Sequence, residues 1–210
     1  MSCLIIALIP MLLNIEAEKL NLMFILAIPV MLLILFAQVI ATEMKTNFKD
    51  IAFTFIGIFY IVFLMMFVVL IDGMDNGKIL IWYVIIASWG TDIFAFFVGS
   101  KFGKHKFSTI SPKKSIEGCV AGTIGAVILM LIYTCVVNNL FNLNICYLYI
   151  VGIGVILSLI GQAGDFAASS IKRYVDIKDY SNLIPGHGGM LDRIDSLIFL
   201  APFAYVFFLI

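Results

Sequence analysis

Long apolar runs alternate with short polar segments along the whole chain. Six of these runs approach the about 20 residues that a helix needs to cross a hydrocarbon core: 22–41, 51–71, 79–99, 119–137, 145–164 and 194–210. A seventh run, 3–13, is shorter. We interpret it as the remnant of a longer N-terminal helix rather than an interfacial helix or a signal-peptide core, because no basic flank precedes it and no small-residue cleavage site follows it. The pattern predicts an all-α fold, a polytopic transmembrane helix bundle with about six to seven spanning helices.

The composition agrees with this pattern. Apolar residues make up 63% of the chain and charged residues 12%, against about 25% charged residues in soluble domains. We expect a single membrane domain over residues 1–210, with N-terminal helices in 1–90 and the candidate catalytic part in 91–210, where the loops 100–118 and 165–195 are rich in charge. The cysteines lie in or beside apolar runs and are predicted to be small core residues: Cys3, Cys119, Cys135 and Cys146.

Positive charge is concentrated in alternate loops. If the loops alternate sides, one side of the membrane receives only Lys19 and Lys78. The other receives Lys45, Lys49, Lys101, Lys104, Lys106, Lys113, Lys114, Lys172, Arg173, Lys178 and Arg193. By the positive-inside rule the second side is cytoplasmic, so we expect an integral protein of the bacterial cytoplasmic membrane whose site faces the cytoplasm. The net charge of zero says nothing for or against nucleic-acid binding, and we expect no nucleic-acid partner.

The segment between the last two spans holds two sets of polar residues at helical spacing. Asp165, Ser169 and Lys172 lie at i, i+4 and i+7, so they share one stripe if the helix continues past the membrane. Asp192 and Asp195 lie at i and i+3 and share a face at the start of the last helix. Carboxylates are favourable at a helix N-terminus, so a purely structural capping role is the alternative interpretation.

A glycine-rich turn lies between the two sets. The glycines of 185–189 predict a tight turn whose backbone N–H groups face an anion, with His187 among them. Together with the aspartates and the neighbouring Lys172 and Arg173, this turn predicts a site for a divalent cation and phosphates. One or two carboxylates plus substrate phosphates is the usual way in which proteins hold Mg²⁺. Zinc is less favoured, because it prefers several Cys or His ligands.

Residues 169–195 also match a longer signature, whose fixed positions are filled by Ser169, Lys172, Arg173, Lys178, Asp179, Ser181, Ile184, Pro185, His187, Gly188, Gly189, Asp192, Arg193 and Asp195. The run Ser111-Pro112-Lys113-Lys114-Ser115-Ile116-Glu117-Gly118 matches a second motif of the form Ser-Pro-Lys-Lys-Thr-x-Glu-Gly. A third motif, Asp-x-x-Ala-aromatic followed by Gly-x-x-x-Gly, is matched by Asp92, Ala95, Phe96, Gly99 and Gly103. Over roughly its C-terminal three fifths, the chain therefore resembles the phosphatidate cytidylyltransferase, or CDP-diacylglycerol synthase, family.

The resemblance implies the reaction of CTP with phosphatidic acid to give CDP-diacylglycerol and pyrophosphate in phospholipid biosynthesis. The implied catalytic residues are Asp165, Lys172, Arg173, Asp192, Arg193 and Asp195. Among them the cations bind phosphates, Asp165 and Asp192 bind Mg²⁺, and Asp195 is a supporting ligand or the ligand of a second, monovalent cation such as K⁺. The other implied substrate-binding residues are Asp92, Ser111, Lys113, Lys114, Glu117, Ser169, Lys178, Asp179, His187, Gly188 and Gly189. The expected partners are CTP, phosphatidic acid, membrane lipids and a second copy of the chain in a homodimer.

The chain departs from that family in two respects. Ala168 occupies a position where the family has an acidic residue, and family members have a longer N-terminal part with more spanning helices. His105 is left out of the predicted site as part of a solvated basic patch. The alternatives are a CTP-dependent lipid or polyprenol kinase, a cytidylyltransferase for another lipid phosphate, a non-catalytic homologue and, in another class, an ion-coupled transporter. A transporter predicts more ionisable residues in mid-span than the single Asp92.

Overall fold

The computed structural model describes residues 17–42, 47–106, 114–181 and 189–210, with side chains from residue 25 onward. Its helices are α1 (Ala17–Ala41), α2 (Phe48–Asp72), α3 (Gly77–Phe102), α4 (Ile116–Phe141), α5 (Tyr147–Tyr174) and α6 (Asp195–Leu209). The backbone of α2 passes through one π-helical turn, Phe59–Phe63, and a 3₁₀ turn, Leu191–Arg193, precedes α6. The described residues form no β-strand, so the predicted all-α fold is confirmed.

Each of the six predicted spans corresponds to one of these helices. By length and composition, α2, α3, α4 and α5 are able to cross a membrane, whereas α6 and the apolar part of α1, Ile25–Ala41, are shorter. The prediction of a membrane helix bundle is thereby confirmed, and the number of spans is approximate. The short run 3–13 lies outside the described residues.

Polar side chains define where two of the helices begin. The side chain of Asn47 accepts hydrogen bonds from the N–H groups of Lys49 and Asp50, and Asp50 accepts one in return from the Asn47 N–H, which completes a capping box at α2. Ser115 caps α4, because its hydroxyl oxygen accepts a hydrogen bond from the Gly118 N–H (3.1 Å). These caps satisfy N–H groups that have no partner inside the helix.

The chain divides into two compact units, Met1–Leu70 and Ile71–Ile210. In the first unit α1 contacts α2, and the rings of Phe55, Phe59 and Phe63 stack along one face of α2 with centroids 6.0 and 4.5 Å apart. The second unit contains α3 to α6. Every described residue of the predicted site belongs to this second unit.

Within the second unit, α3 packs against α4, α5 and α6. Its contact with α4 is close because small residues line it. A Cβ atom at Gly118 would lie 2.7 Å from the Ala95 carbonyl oxygen and 3.1 Å from the Gly99 Cα. A Cβ at Gly122 would lie 2.7 Å from the Thr91 carbonyl oxygen. Small residues let helix backbones approach closely in membrane proteins, where van der Waals packing drives association.

Hydrogen bonds between buried side chains join α3 to each of its neighbours. The pairs are Tyr83 with Thr134 on α4 (2.9 Å), Thr91 with Ser158 on α5 (2.8 Å) and Ser88 with Ser196 on α6 (2.8 Å). Polar groups in an apolar surrounding need such partners. They fix how the helices that carry the predicted site residues are aligned.

The longer polar segments of the second unit meet at one end. Ion pairs between Lys114 and Asp165 and between Lys172 and Asp192 connect the segment before α4, the last turns of α5 and the segment before α6. At the opposite end the side chain of Asn138 holds the short turn before α5, accepting from the Ile145 N–H (2.8 Å). The polar end is therefore where the chemistry of this unit is concentrated.

Candidate active site

Asp192 connects α5 with the loop that precedes α6. Its Oδ1 accepts a hydrogen bond from Lys172 Nζ (2.8 Å), and its Oδ2 accepts from the backbone N–H groups of Tyr180 and Gly189 (2.9 Å each). The side chain of Asp192 is only 7% exposed. Burial raises the pKa of Asp192, but the hydrogen bonds from Lys172, Gly189 and Tyr180 outweigh burial and hold this pKa below its ordinary value. Asp192 is therefore ionised at neutral pH and fastens Tyr180 and Gly189 to α5.

Lys172 lies at the centre of this arrangement. It is buried, with its ammonium 2.8 Å from Asp192 Oδ1, 3.6 Å from Asp195 Oδ2 and 5.2 Å from the centroid of the Tyr180 ring. Because α5 continues to Tyr174, the stripe of Asp165, Ser169 and Lys172 forms as the spacing predicts. The ammonium of Lys172 holds the two aspartates near the start of α6 at fixed positions.

Asp165 lies about two helical turns before Lys172 on α5 and forms an ion pair with Lys114. Lys114 immediately precedes the cap of α4, and its ammonium also lies 4.5 Å from the centroid of the Phe166 ring. Both partners of the ion pair are about one fifth exposed, 22% for Lys114 and 21% for Asp165. They line a cavity of about 270 Å³ together with Asp92 and Gln162, which we call the polar cavity.

Asp92 ties the polar cavity to the start of α6. The hydroxyl of Ser196 donates to Asp92 Oδ2 (3.4 Å), and Asp195 Oδ1 accepts from the Ser196 N–H (2.9 Å). The resemblance implies that Asp92 binds substrate, and the structure places it on the cavity wall in contact with Ser196 of α6.

The carboxylates at this end suit a hard cation. Mg²⁺ takes oxygen ligands and usually binds one or two carboxylates plus substrate phosphates and water. Among the residues that the structure describes, no three His, Cys, Asp or Glu side chains come close enough to hold a metal ion by themselves. Asp165 faces the polar cavity, whereas both oxygens of Asp192 already accept hydrogen bonds from the protein. A cation here would therefore need oxygens from phosphates or water to complete its coordination. Of these two aspartates, Asp165 is the more available ligand.

An apolar groove of about 710 Å³ adjoins the polar cavity between α4 and α5. Its walls are aliphatic and aromatic, with Val120, Ile124, Val155, Leu159 and Phe166 among them. Cys119 and Gln162 line both the groove and the polar cavity. An elongated apolar ligand in the groove would therefore bring a polar end into contact with the carboxylates and Lys114.

Gln162 at this junction is a functional candidate that the sequence analysis missed. Its Nε2 donates to the Cys119 carbonyl oxygen (3.2 Å) and to Thr123 Oγ1 (3.0 Å), which links α5 to α4. The signal was present, because an amide within an apolar run is costly unless it faces a partner or a cavity. Its position one turn before Asp165 would have placed it on the same helix face.

Glu117, a predicted substrate-binding residue, has a different immediate partner. One of its oxygens lies 2.6 Å from His105 Nδ1, and both accept from the His105 N–H (3.3 Å each). The predicted site does not include His105, because the two residues lie 12 positions apart and no helical spacing relates them. The contact closes the base of the segment between α3 and α4.

The remaining predicted residues are distributed around this end of the second unit. Ser169 is half-buried on α5, and the side chain of Arg173 donates to the Ile177 carbonyl oxygen (3.3 Å). Six of these predicted residues do not line the polar cavity: Ser169, Arg173, Lys178, Asp179, Gly189 and Arg193. Four further predicted residues lie outside the described ranges: Ser111, Lys113, His187 and Gly188.

Ala168, the departure at an acidic position, is fully buried (0% exposed). Its carbonyl oxygen accepts a hydrogen bond from the Tyr180 hydroxyl (3.3 Å). The side chain therefore occupies space next to the Lys172 turn that a carboxylate could fill only with a partner.

Comparisons with known proteins agree with the signature found in the sequence. A sequence model of the cytidylyltransferase family matches residues 1–210. The phosphatidate cytidylyltransferase of Bacillus subtilis (strain 168) is 36% identical over 192 residues, which are 90% of this chain and 69% of that protein. Those of Thermotoga maritima (36% identity; 83% of this chain, 65% of that protein) and Staphylococcus haemolyticus (38%; 80% and 63%) are similar over shorter stretches. The chain thus spans between 63% and 69% of the length of these three relatives. This chain belongs to the cytidylyltransferase family.

Proposed function

We propose that this protein transfers the cytidylyl group of CTP to phosphatidate and releases CDP-diacylglycerol and pyrophosphate. The observation that carries the proposal is the junction of the apolar groove with the polar cavity at Cys119 and Gln162. Such a junction suits a substrate with long apolar chains and an anionic headgroup. The relatives named phosphatidate cytidylyltransferase support phosphatidate as that substrate.

In this proposal the acyl chains lie along the groove and the headgroup phosphate enters the polar cavity. Lys114 is the cation on the cavity wall, and it is paired with Asp165. An incoming phosphate would compete with Asp165 for the Lys114 ammonium. The carboxylates of the neighbouring Asp92 and Asp165 repel an anionic phosphate. A phosphate therefore enters the polar cavity only together with cations that neutralise this charge.

The chemistry needs no nucleophile from the protein. An ionised phosphate oxygen of phosphatidate attacks the α-phosphorus of CTP, one P–O bond forms, and the bond from the α-phosphorus to the bridging oxygen breaks. Pyrophosphate leaves with the electron pair. The side chains then contribute by positioning the two phosphates and balancing their charge. Lys172 fixes Asp192 and Asp195, and the guanidinium groups of Arg173 and Arg193 are proposed to bind the leaving phosphates.

Mg²⁺ is part of the proposal as the cofactor. The residues proposed to hold it are Asp165 and Asp192, with Asp195 as a supporting ligand or the ligand of a second, monovalent cation such as K⁺. When bound, Mg²⁺ neutralises phosphate charge and orients the reacting groups. We also propose that the site faces the cytoplasm. We further propose that two copies of the chain associate, and the mass of the protein in detergent tests this association.

The test uses the purified full chain in mixed micelles with phosphatidate and CTP labelled at either the α- or the γ-phosphorus. We expect only the α-label to enter the lipid, and only when Mg²⁺ is present. Asp165→Asn should lower this rate by at least about 100-fold because it removes a charge from the cavity wall. Asp75→Asn, an exposed aspartate at the opposite end of the unit, should leave the rate unchanged.

The position of the label also separates the alternatives. Transfer of the γ-label would identify a CTP-dependent lipid kinase instead. A protein that incorporates neither label, with several lipid phosphates supplied in turn, would refute the proposed function.

A further inference from the structure

We propose that His105 is a positioning residue, which holds the segment before α4 so that Lys114 points into the polar cavity. The inference rests on the proposed function, because its consequence is measured as binding of phosphatidate. His105 does not line the polar cavity, and its side chain is 75% exposed. Its effect on the reaction must therefore pass through other residues.

The contacts of His105 form a clasp between the end of α3 and the start of α4. The imidazole Nδ1 lies 2.6 Å from Glu117 Oε1, and since a carboxylate only accepts, Nδ1 is the donor. The His105 N–H donates to both carboxylate oxygens of Glu117 (3.3 Å), and the Ile116 N–H donates to the His105 carbonyl oxygen (3.0 Å). Lys106 and Ser115 form an antiparallel backbone bridge beside them. We call this set of contacts the His105–Glu117 clasp.

The clasp fixes the backbone from which Lys114 extends. Ser115, the cap of α4, follows Lys114 directly, and its hydroxyl accepts from the Gly118 N–H (3.1 Å). Gly103 allows the two segments to approach, because a Cβ there would lie 2.7 Å from the Ser115 Cβ. The base of the lysine side chain is thus anchored by the clasp, and its ammonium by Asp165.

Of the two anchors of Lys114, the clasp remains when a substrate binds, whereas the ion pair with Asp165 is lost. A phosphate that takes the Lys114 ammonium releases it from Asp165, so only the clasp still restricts where the lysine can reach. A lysine side chain loses rotamer entropy when it is held in one conformation, and an unanchored backbone adds to the conformational entropy lost on binding. Loss of the clasp should therefore weaken substrate binding more than it slows the chemical step.

If the clasp served only to stabilise the fold, its loss would lower the melting temperature. An exposed ion pair contributes little to folding stability, so breaking the clasp should leave the melting temperature nearly unchanged. The expected effect is confined to the kinetics and depends on Lys114.

The experiment compares the steady-state kinetics of four forms of the full chain in mixed micelles. His105→Ala should raise the KM for phosphatidate by about tenfold with kcat changed less than about threefold, the pattern of lost binding rather than lost catalysis. His105→Asn should restore most of the loss, because its amide nitrogen lies where Nδ1 lies and still donates to Glu117. Lys104→Ala, an exposed residue next to His105, is the matched control and should behave as the unmodified chain.

A double-mutant cycle tests whether His105 acts through Lys114. In a Lys114→Met background, His105→Ala should cause no further rise in KM, because residues that act through one another are not additive. Equal effects of His105→Ala and Lys104→Ala in an active enzyme, or full additivity with Lys114→Met, would overturn the inference and leave the proposed function intact. An unmodified chain that does not convert CTP and phosphatidate would overturn both.

Discussion

At the scale of single residues, Asp192 is a structural residue before any ligand binds. Each of its oxygens accepts from protein donors, one from the Lys172 ammonium and the other from two backbone N–H groups. Gly189 is held so closely that a Cβ there would lie 2.6 Å from Ser181 Oγ and 3.1 Å from Asp192 Oδ2. The positions of Tyr180 and Gly189 therefore depend on the charge of one carboxylate.

Replacing that charge gives a prediction about stability and pH. Asp192→Asn should lower the free energy of unfolding by about 1–3 kcal/mol, because an amide cannot replace the ionised acceptor of a charged donor. It should also lower cytidylyltransferase activity, since Tyr180 and Gly189 lose their common anchor. Thermal unfolding of the two proteins in detergent at neutral pH measures the difference, and Asp176→Asn, an exposed aspartate of the same loop, is the control.

The pH dependence follows from the sign of the pKa shift at Asp192. Its pKa in the folded protein is lowered, so the stability it supplies is complete above the pKa of the unfolded chain, about 3.9 for an aspartate. That stability is lost as the pH falls through the lower pKa of the folded state. The gap between the unmodified chain and Asp192→Asn should therefore close between pH 5 and the acid limit of the assay; a gap that widened on acidification would contradict this role.

At the scale of helices, the packing of α3 on α4 sets the width of the polar cavity, since Asp92 lies on α3 and Lys114 at the start of α4. Gly122→Ala places a methyl group 2.7 Å from the Thr91 carbonyl oxygen and 3.1 Å from the Ala95 Cβ. The helices must move apart, at a cost of about 1–3 kcal/mol for overpacking.

The same substitution should lower activity by about 100-fold, because a shift near 1 Å is enough to misplace reacting groups. The melting temperature and kcat/KM of the variant test both effects. Gly152→Ala on α5 is the matched control: apart from its chain neighbours and the nearby backbone of α5, no atom of the described residues lies within 4 Å of the added methyl group. Alanine is also the better helix former. It should be as stable as the unmodified chain or slightly more so, and a comparable loss at both positions would show that packing between α3 and α4 is not the cause.

Hydrophobic runs predicted which helices exist but not where they end. The run at 145–164 corresponds to α5, yet the helix continues to Tyr174. The length of an apolar run reflects the thickness of the hydrocarbon core of a membrane. A helix, in contrast, continues for as long as its backbone hydrogen bonds are made. Because of this extension, the predicted stripe of Asp165 and Lys172 forms beyond the apolar run.

Contacts between helices could not be predicted in the same way. Spacing placed Asp192 and Asp195 on one face, but their joint contact with Lys172 depends on how α5 packs against α6. The groove and its junction at Gln162 likewise arise from the space between α4 and α5. These features are properties of pairs of helices, and a single helical period contains no information about them.

At the scale of the whole molecule, polar and basic residues are distributed unequally between the two ends of the second unit. Described cations gather at the end that carries the polar cavity: Lys101, Lys104, Lys106, Lys114, Lys172, Arg173, Lys178 and Arg193. The opposite end carries Lys78. Retention of Lys and Arg on the cytoplasmic side sets the orientation of membrane proteins, and a CTP-using enzyme also needs its nucleotide from that side.

The orientation can be measured with single cysteines introduced at the two ends. In a chain whose own cysteines are replaced and whose activity is retained, Lys104→Cys marks the end with the polar cavity and Asp75→Cys marks the other. A membrane-impermeant maleimide should label Lys104→Cys in inverted vesicles and Asp75→Cys in right-side-out vesicles, because eight described cations favour the cytoplasm at one end. The reverse pattern would place the polar cavity away from cytoplasmic CTP and would remove the basis for nucleotide transfer at that site. Labelling of both cysteines from the same side would mean that α3 does not cross the membrane, since Asp75 precedes α3 and Lys104 follows it.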